Sequence, residues 1–243
     1  MSVSKYDDKL FFEEYAKMSR SQYGLSGAGE WPQFKKLFPM IKGKKVLDLG
    51  CGYGWHCKYA ADQGAAEVLG IDLSQRMIDE AKHRNMNPVI AYNLCGIEDY
   101  TYPKEQWDCV ISSLVLHYIE DIEGIFTSIY RTLKQNGVFL LNIEHPSFTA
   151  GVHQDWIYAK DGSPLYWPID DYFFSGERVT NFLGHEVKKY HHTLTQILMG
   201  LISCGFELRE VVEAQPSEEM LKIPGMKDEL RRPMMLLVKA QKR

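Results

Sequence analysis

The chain has 243 residues, of which 45% are apolar and 25% charged, and its 28 basic and 32 acidic side chains leave a formal charge of −4. These are the proportions of a globular protein long enough to build its own core without disulfide or metal staples. The acidic balance argues against non-specific nucleic-acid binding, which draws on an excess of positive charge. No stretch reaches 18 apolar residues, and the opening MSVSKYDDKLFFEEY has no apolar signal core. The five cysteines, Cys51, Cys57, Cys95, Cys109 and Cys204, are odd in number and include no C-x-x-C pair. A membrane span, a disulfide framework and a zinc site are therefore poor readings, and a reducing cytoplasm is the expected setting.

Residues 1–42 are expected to form one or two helices over a sheet edge, and from residue 43 strands and helices alternate. KKVLDLG is a short apolar run ending in glycine, the pattern of a buried parallel strand. Trp55, Tyr59 and Ala60 recur at helical spacing, with Gly64 as the stop. AEVLGID is a second strand; Ser74 then caps a helix carrying Met77, Ile78 and Ala81 on one face, with Pro88 beyond its end. PVIAY is a weaker third strand and WDCVISS a fourth. A helical stripe of Ile122, Ile125, Phe126, Ile129 and Leu133 follows, ended by Gly137, and VFLLNIE is the fifth strand. Such alternation predicts a parallel sheet covered on both faces.

In residues 145–192 the rhythm breaks. No period is visible, but histidines and aromatics such as Phe148, Trp156, Trp167, Tyr172 and Phe182 crowd together, which predicts an inserted cap. Thr193 and Gln196 form a capping box before an apolar face of Leu194, Ile197, Leu198, Leu201 and Ile202, stopped at Gly205. FELREVVEA and MMLLVKA are the last two strands. The expected organisation is one domain over 1–243, comprising a helical cover (1–42), a ligand-binding core (43–144), the cap (145–192), and a helix with two strands (193–243).

The stretch that carries chemistry is VLDLGCGYG, Val46 to Gly54, with Asp72 at the end of the next strand. Open parallel sheets bind ligands at the carboxyl ends of their strands, where strand order reverses. Gly50, Gly52 and Gly54 let backbone approach a ligand closely, and a carboxylate at the second strand's end is placed for ribose hydroxyls. Dinucleotide binders use G-x-G-x-x-G; here the spacing is G-x-G-x-G, and the third dinucleotide position would be Trp55.

DLGCGYG resembles the first motif of the class I S-adenosylmethionine-dependent methyltransferases, and Asp72-Leu73-Ser74, GIEDYTYP, WDCVISSLVLHYIED and LKQNGVFLLNIEHP resemble the later motifs in order. The resemblance implies an α/β Rossmann-like fold, a seven-stranded sheet mostly parallel with one antiparallel strand and helices on both faces. It also implies S-adenosyl-L-methionine as methyl donor and S-adenosyl-L-homocysteine as product. Carried over by position, Asp48 and the backbone of Gly50, Cys51 and Gly52 face the methionine moiety. Asp72 takes the ribose, Leu73 and Met77 pack on adenine, and Gly96 and Ile97 meet the adenine edge. Many relatives carry an acid at the Gly96 position, so Glu98 or Asp99 is the candidate substitute. Ser113 and Leu114 pass beside the methionine tail, and Tyr15, Arg20 and Tyr23 are candidates for covering the donor.

Transfer from an activated methyl needs alignment more than acid–base machinery, with a base where the acceptor must lose a proton. His117 is the first candidate for catalytic base, with His145, His153, His191 and His192 behind it. His145, Trp156, Tyr172 and His191 are candidates for lining an acceptor pocket under the cap. Asp170 and Asp171 read as a solvated loop, and no metal is expected. Where relatives acting on exocyclic or amide nitrogen carry Asn-or-Asp-Pro-Pro-aromatic, this chain has Ser112, Ser113, Leu114 and Val115. A small organic acceptor is the expectation, with no membrane partner and nucleic acid disfavoured; oligomeric state is not legible. The alternatives are methylation of a protein or RNA target, a nicotinamide-dependent oxidoreductase, and a non-catalytic adenosyl-ligand binding module.

Overall fold

The computed structural model describes residues 4–243 apart from Val152. In chain order the helices are α1 (Lys9–Ala16), α2 (Ser19–Tyr23), α3 (Trp31–Leu37), α4 (Trp55–Asp62), α5 (Gln75–Arg84), α6 (Ile122–Thr132), α7 (Pro146–Thr149) and α8 (Leu194–Ser203). The strands are β1 (Lys45–Leu49), β2 (Glu67–Asp72), β3 (Ile90–Leu94), β4 (Trp107–Ser113), β5 (Leu133–Glu144), β6 (Ile157–Tyr158), β7 (Pro164–Tyr166), β8 (Gly176–Phe182), β9 (His185–His191), β10 (Phe206–Glu213) and β11 (Met235–Lys242). Seven of these form one sheet in the order β10-β11-β5-β4-β1-β2-β3. β1 to β5 pair in parallel, whereas β11 runs antiparallel to both of its neighbours. The expected seven-stranded Rossmann-like sheet with a single reversed strand is the fold observed.

Apolar residues on alternate strand positions bury both faces. On one face Leu47, Leu49, Val110, Phe139 and Leu141 meet Phe126 and Ile129 of α6 and Ile197 and Leu201 of α8. On the other, Val46, Val68, Ile111 and Leu140 meet Cys57 and Ala60 of α4, Ile78 of α5, and Phe34 and Leu37 of α3. Local signals act as expected: the Ser74 side chain accepts from the Met77 amide to start α5, and Thr193 and Gln196 make both bonds of a capping box at α8.

Three differences from the sequence reading have physical causes. Leu133 belongs to β5, not to the stripe of α6: it pairs with Trp107, the ladder then shifts to Cys109 opposite Val138, and Asn136 takes a φ of 63° in the bulge between. The first 42 residues supply three helices, not one or two, and they cross one sheet face and the carboxyl ends of the strands, not an edge: Phe34 and Leu37 enter the core, while Tyr6 and Phe11 pack on Tyr118 and Phe182. Residues 145–192 hold two antiparallel hairpins, β6–β7 and β8–β9. The turn between β8 and β9 is Leu183 and Gly184, both at positive φ (55° and 79°), the geometry that joins two strands tightly.

Candidate functional site

Strand order reverses between β1 and β4, and the candidate groups gather at the carboxyl ends of those strands. Gly50, Gly52 and Gly54 all take left-handed backbone, with φ of 68°, 51° and 76°. A Cβ at Gly50 would come within 2.2 Å of Val115 Cγ2, and one at Gly54 within 2.4 Å of the Tyr92 hydroxyl. At Gly52 nothing lies within 4 Å, so this backbone borders open space. Two of the glycines thus permit internal packing, and at the middle one a side chain would meet nothing within 4 Å.

Asp72 closes β2 beside that loop. Its carboxylate accepts from the Gly52 and Ser74 amides, each at 2.9 Å. Burial raises its pKa to about 6 against the opposing effect of those backbone donors. Each carboxylate oxygen keeps lone-pair capacity for a ligand hydroxyl. Asp48 lies deeper, 1% exposed, with the Cys57 thiol donating to it at 3.3 Å. Burial raises its pKa to about 7, again against that hydrogen bond. Leu73 and Met77 follow on the turn and first turn of α5, and Met77 is buried. Gly96 packs close to Leu73: a Cβ there would approach Leu73 Cδ1 to 3.4 Å and Asp99 Oδ2 to 3.2 Å. Ile97 is buried and Glu98 exposed.

The N-terminal segment lies over this end of the sheet. Asp7 accepts from the Ser74 hydroxyl (2.7 Å) and the Arg76 amide (3.2 Å), fastening the chain to the start of α5. Tyr6 packs edge-on against Tyr15 and meets the Tyr118 hydroxyl at 3.2 Å, and Tyr15 packs on Tyr53 of the glycine loop. Arg20 donates to both oxygens of Glu30 at 2.9 Å. Glu30 also accepts from Asn142 Nδ2 at 3.2 Å, and the same nitrogen donates to Ser113 Oγ at 3.0 Å. Tyr23, by contrast, is 67% exposed. Leu114 holds a φ of 58° and donates its amide to the Asn142 carbonyl, which sets the turn after β4. Buried polar atoms without a partner among the described residues include Ser21 Oγ, Ser112 Oγ, Asn142 Oδ1 and His117 Nδ1.

His117 sits in the 3-10 turn Leu116–Tyr118 and is 3% exposed. Desolvation lowers its pKa to about 4, so the ring is neutral near pH 7. Its Nε2 is 4.0 Å from Glu144 Oε1 at the end of β5. Glu144 accepts at 2.6 Å from Lys189 of β9, which is itself 2% exposed and also donates to Gln154. Burial pushes the Glu144 carboxyl up, but the adjacent His117 and Lys189 outweigh it and hold the group below the ordinary carboxylate range. Glu144, Lys189, Gln154, Glu30 and Asn142 are absent from the residues picked out by sequence.

The remaining candidates make contacts of their own, within the 145–192 segment and with residues outside it. His191 engages both ring nitrogens, with Thr149 Oγ1 (2.7 Å) and the Tyr172 carbonyl (2.8 Å). Tyr172 accepts from the Leu194 amide. His145 caps α7 through Nδ1, and its Nε2 is 3.0 Å from Glu213. Trp156 packs edge-on against Trp167 and carries the Arg231 guanidinium over its ring. His192 bonds the Ile119 carbonyl, and His153 is exposed. An open hollow of about 590 Å³ lined by Glu67, Val89 and Trp107 lies at the opposite end of the strands, away from all these groups. Among the described residues no helix is long and apolar enough to cross a membrane.

Residues 47–141 match the family described as methyltransferase domain. A putative S-adenosylmethionine-dependent methyltransferase from Listeria monocytogenes is 47% identical, with a TM-score of 0.86 over 90% of this chain and 99% of that one. An S-adenosylmethionine-dependent methyltransferase from Mesorhizobium loti is 37% identical, with a TM-score of 0.84 over 90% and 100%. Phosphoethanolamine N-methyltransferase 1 of Zea mays is 31% identical over 118 residues, which are 48% of this chain and 24% of that enzyme.

Proposed function

The chain belongs to the class I S-adenosylmethionine-dependent methyltransferases, and from that premise we propose that it methylates a small organic acceptor held between the strand ends and the 145–192 segment. It is an enzyme whose methyl donor is S-adenosyl-L-methionine. The donor supplies an electrophilic methyl group on a sulfonium. The observation that carries the site reading is the pairing of the open Gly52 backbone with Asp72 at the switch point. Asp72 would accept the ribose hydroxyls, and Asp48 would face the methionine moiety with Gly50 and Cys51. Leu73, Met77, Gly96, Ile97 and Glu98 would border adenine. Ser113, Leu114, Arg20 and Tyr23 are proposed to complete the donor pocket.

The residues around the transfer point supply alignment and water exclusion. Tyr6, Tyr15 and Tyr118 close the opening from the N-terminal side, and the Lys189–Glu144 bond ties β9 to the end of β5. Fixing two reactants at attack distance supplies on the order of 7–11 kcal/mol in favourable systems. His117 is neutral near pH 7 and has a free Nδ1, so it can take a proton from an acceptor hydroxyl or amine. His145, Trp156, Tyr172 and His191 are proposed to shape the acceptor side by holding the 145–192 segment together. The 118 residues shared with a phosphoethanolamine methyltransferase cover less than half the chain, so that acceptor is one to screen. The test is calorimetric titration with S-adenosylmethionine, S-adenosylhomocysteine and NADH, followed by transfer of labelled methyl groups to small acceptors. Tight binding of the two sulfur ligands and label in a small product are expected. Label found only in protein or RNA would overturn the acceptor reading.

A further inference from the structure

We propose that Glu144 is a positioning residue for His117: its carboxylate keeps the neutral imidazole's proton on Nε2, leaves Nδ1 free to take the acceptor's proton, and faces the charge that then forms on the ring. The proposal rests on the methyl-transfer reading and deepens its account of the base. Which nitrogen of a histidine carries the proton is set by what lies beside the other. Here Nε2 is 4.0 Å from Glu144 Oε1, and Nδ1 is buried without a partner among the described residues. A proton on Nδ1 would be a buried donor left unmet, which is costly, whereas a proton on Nε2 lies toward a carboxylate. At 4.0 Å the contact is electrostatic rather than a hydrogen bond, and it strengthens once the ring is charged.

Two neighbours keep that carboxylate ionised and in place. Burial favours the protonated acid, but His117 and Lys189 beside it hold the Glu144 carboxyl below the ordinary range, and Lys189 donates to Oε1 at 2.6 Å. Gln154 closes a ring of contacts: it donates to Glu144 Oε2 at 3.4 Å and accepts from Lys189 at 3.2 Å. Its backbone holds a φ of 48°, a left-handed conformation that a residue other than glycine keeps only where its surroundings fix it. Of the charged groups that act on the His117 ring, Lys189 and His192 oppose a positive charge and Glu144 favours it, while the Tyr118 ring packs alongside at 4.4 Å. Lys189 arrives on the β8–β9 hairpin, so the base is complete only with that hairpin seated.

In the transfer step the acceptor's lone pair forms the bond to the methyl carbon, and the carbon–sulfur bond breaks with its electron pair going to sulfur, which leaves S-adenosylhomocysteine. The proton passes from the acceptor's oxygen or nitrogen to His117 Nδ1. The imidazolium then carries one N–H on each nitrogen, with Nε2–H toward Glu144, and it gives the extra proton to water as product leaves. Glu144 does not receive the proton; it acts through the ring.

The test uses the whole chain labelled with ¹⁵N-histidine and saturated with S-adenosylhomocysteine at pH 8. Correlating the ring protons with the two ring nitrogens by NMR reports which nitrogen is protonated, and the signals lost in His117→Gln assign the residue. The expected wild-type result is an excess of the Nε2–H tautomer. Glu144→Leu with Lys189→Met, which removes both charges, should lower the ratio of Nε2–H to Nδ1–H at least about threefold, the weight of a weak hydrogen bond. Lys189→Met alone keeps the carboxylate and should keep the ratio. An excess of Nδ1–H in the wild type overturns the proposal, as does an unchanged ratio in the double variant or an equal fall in Lys189→Met. If the leucine prevents folding, Glu144→Gln in its place keeps the shape and should give a smaller fall in the same direction; no fall overturns the proposal. Calorimetry with S-adenosylhomocysteine separates the two levels: binding of that ligand with a failed tautomer result removes the role of Glu144 alone, and no binding removes the reading beneath it.

Discussion

Replacing Lys189 by methionine isolates the contact that ties the 145–192 segment to the sheet. The Lys189 side chain is 3% exposed and Glu144 14%, and they meet at 2.6 Å. Methionine keeps most of the volume but leaves the carboxylate with only the Gln154 bond at 3.4 Å and the His117 ring at 4.0 Å. Removing one partner of a buried ion pair typically costs about 3–5 kcal/mol. The residual exposure of Glu144 places this case near the lower end, about 3 kcal/mol. For a chain of this size that is a fall in Tm of roughly 6–12 °C, at about 2–4 °C per kcal/mol. The pH dependence carries the sharper sign. In the wild type the Glu144 pKa is lowered on folding, so its contribution is present above the unfolded carboxyl range and is lost as pH falls through the lower folded value. Without Lys189 less opposes burial, so the variant's Glu144 pKa lies above the wild-type value, and the loss is largest above the carboxyl range and shrinks as pH falls through it. Urea denaturation across that range measures it, and Glu144→Gln added to Lys189→Met should recover most of the stability. A loss below about 1 kcal/mol, or one that does not shrink as pH falls through the carboxyl range, would refute the reasoning.

Four further outcomes follow from the site. Gly50→Ala combines a left-handed φ with a 2.2 Å clash against Val115, whereas Gly43→Ala (φ 74°) meets nothing within 4 Å. Thermal unfolding should show about 1–2 kcal/mol lost for the latter, and at least about 3 kcal/mol for the former, since overpacking adds to the strain. Asp72→Ala removes a charged acceptor worth about 1.5–3 kcal/mol to a ligand donor and should weaken S-adenosylmethionine at least tenfold by calorimetry; unchanged affinity would remove Asp72 from the donor site. Because folding raises the Asp48 pKa to about 7, wild-type stability should decline as pH rises from about 4 to 7, and Asp48→Asn should flatten that slope in urea denaturation of the ligand-free protein. With the His117 pKa lowered to about 4, its ring signals in NMR should stay constant from pH 5.5 to 8.5, and His117→Ala should slow transfer by ~10²–10⁴-fold if it takes the acceptor's proton.

What could be read in the sequence was local. The strand–glycine–helix turn at Gly50 to Gly54 and the caps at Ser74 and Thr193 depend on residues within a few positions of one another, and the structure has each turn and cap where the pattern implied. Asp72 was accessible because a strand's end is marked by the polar turn that follows. The groups that were missed are joined across the chain: Glu30 to Asn142 over 112 positions, Glu144 to Lys189 over 45. Nothing in the spacing of a lone lysine on β9 says that it is buried; that follows from the hairpin folding back over the end of β5. The hairpin itself left a trace. Val187, Lys189 and His191 of β9 alternate with the exposed Glu186 and Lys188, but a lysine and a histidine on the buried face hide a period of two. At Leu133 helical periodicity ran one residue too far because a bulged strand opens with the same apolar residue that would close a helix.

The position of β11 bears on how the chain is made. It lies between β5 and β10 but is the last strand of the sheet to be synthesised. Until it emerges, the twelve-residue β5 is an unpaired edge carrying Phe139, Leu140 and Leu141, the kind of edge that recruits other chains. β10 and β11 pair with each other and can join as one hairpin, so closure of the sheet is a late event that completes the core and covers the edge together. Nascent chains halted before residue 235 should therefore be the aggregation-prone species during expression, and coverage of the β5 edge by a chaperone is a need of the unfinished protein alone.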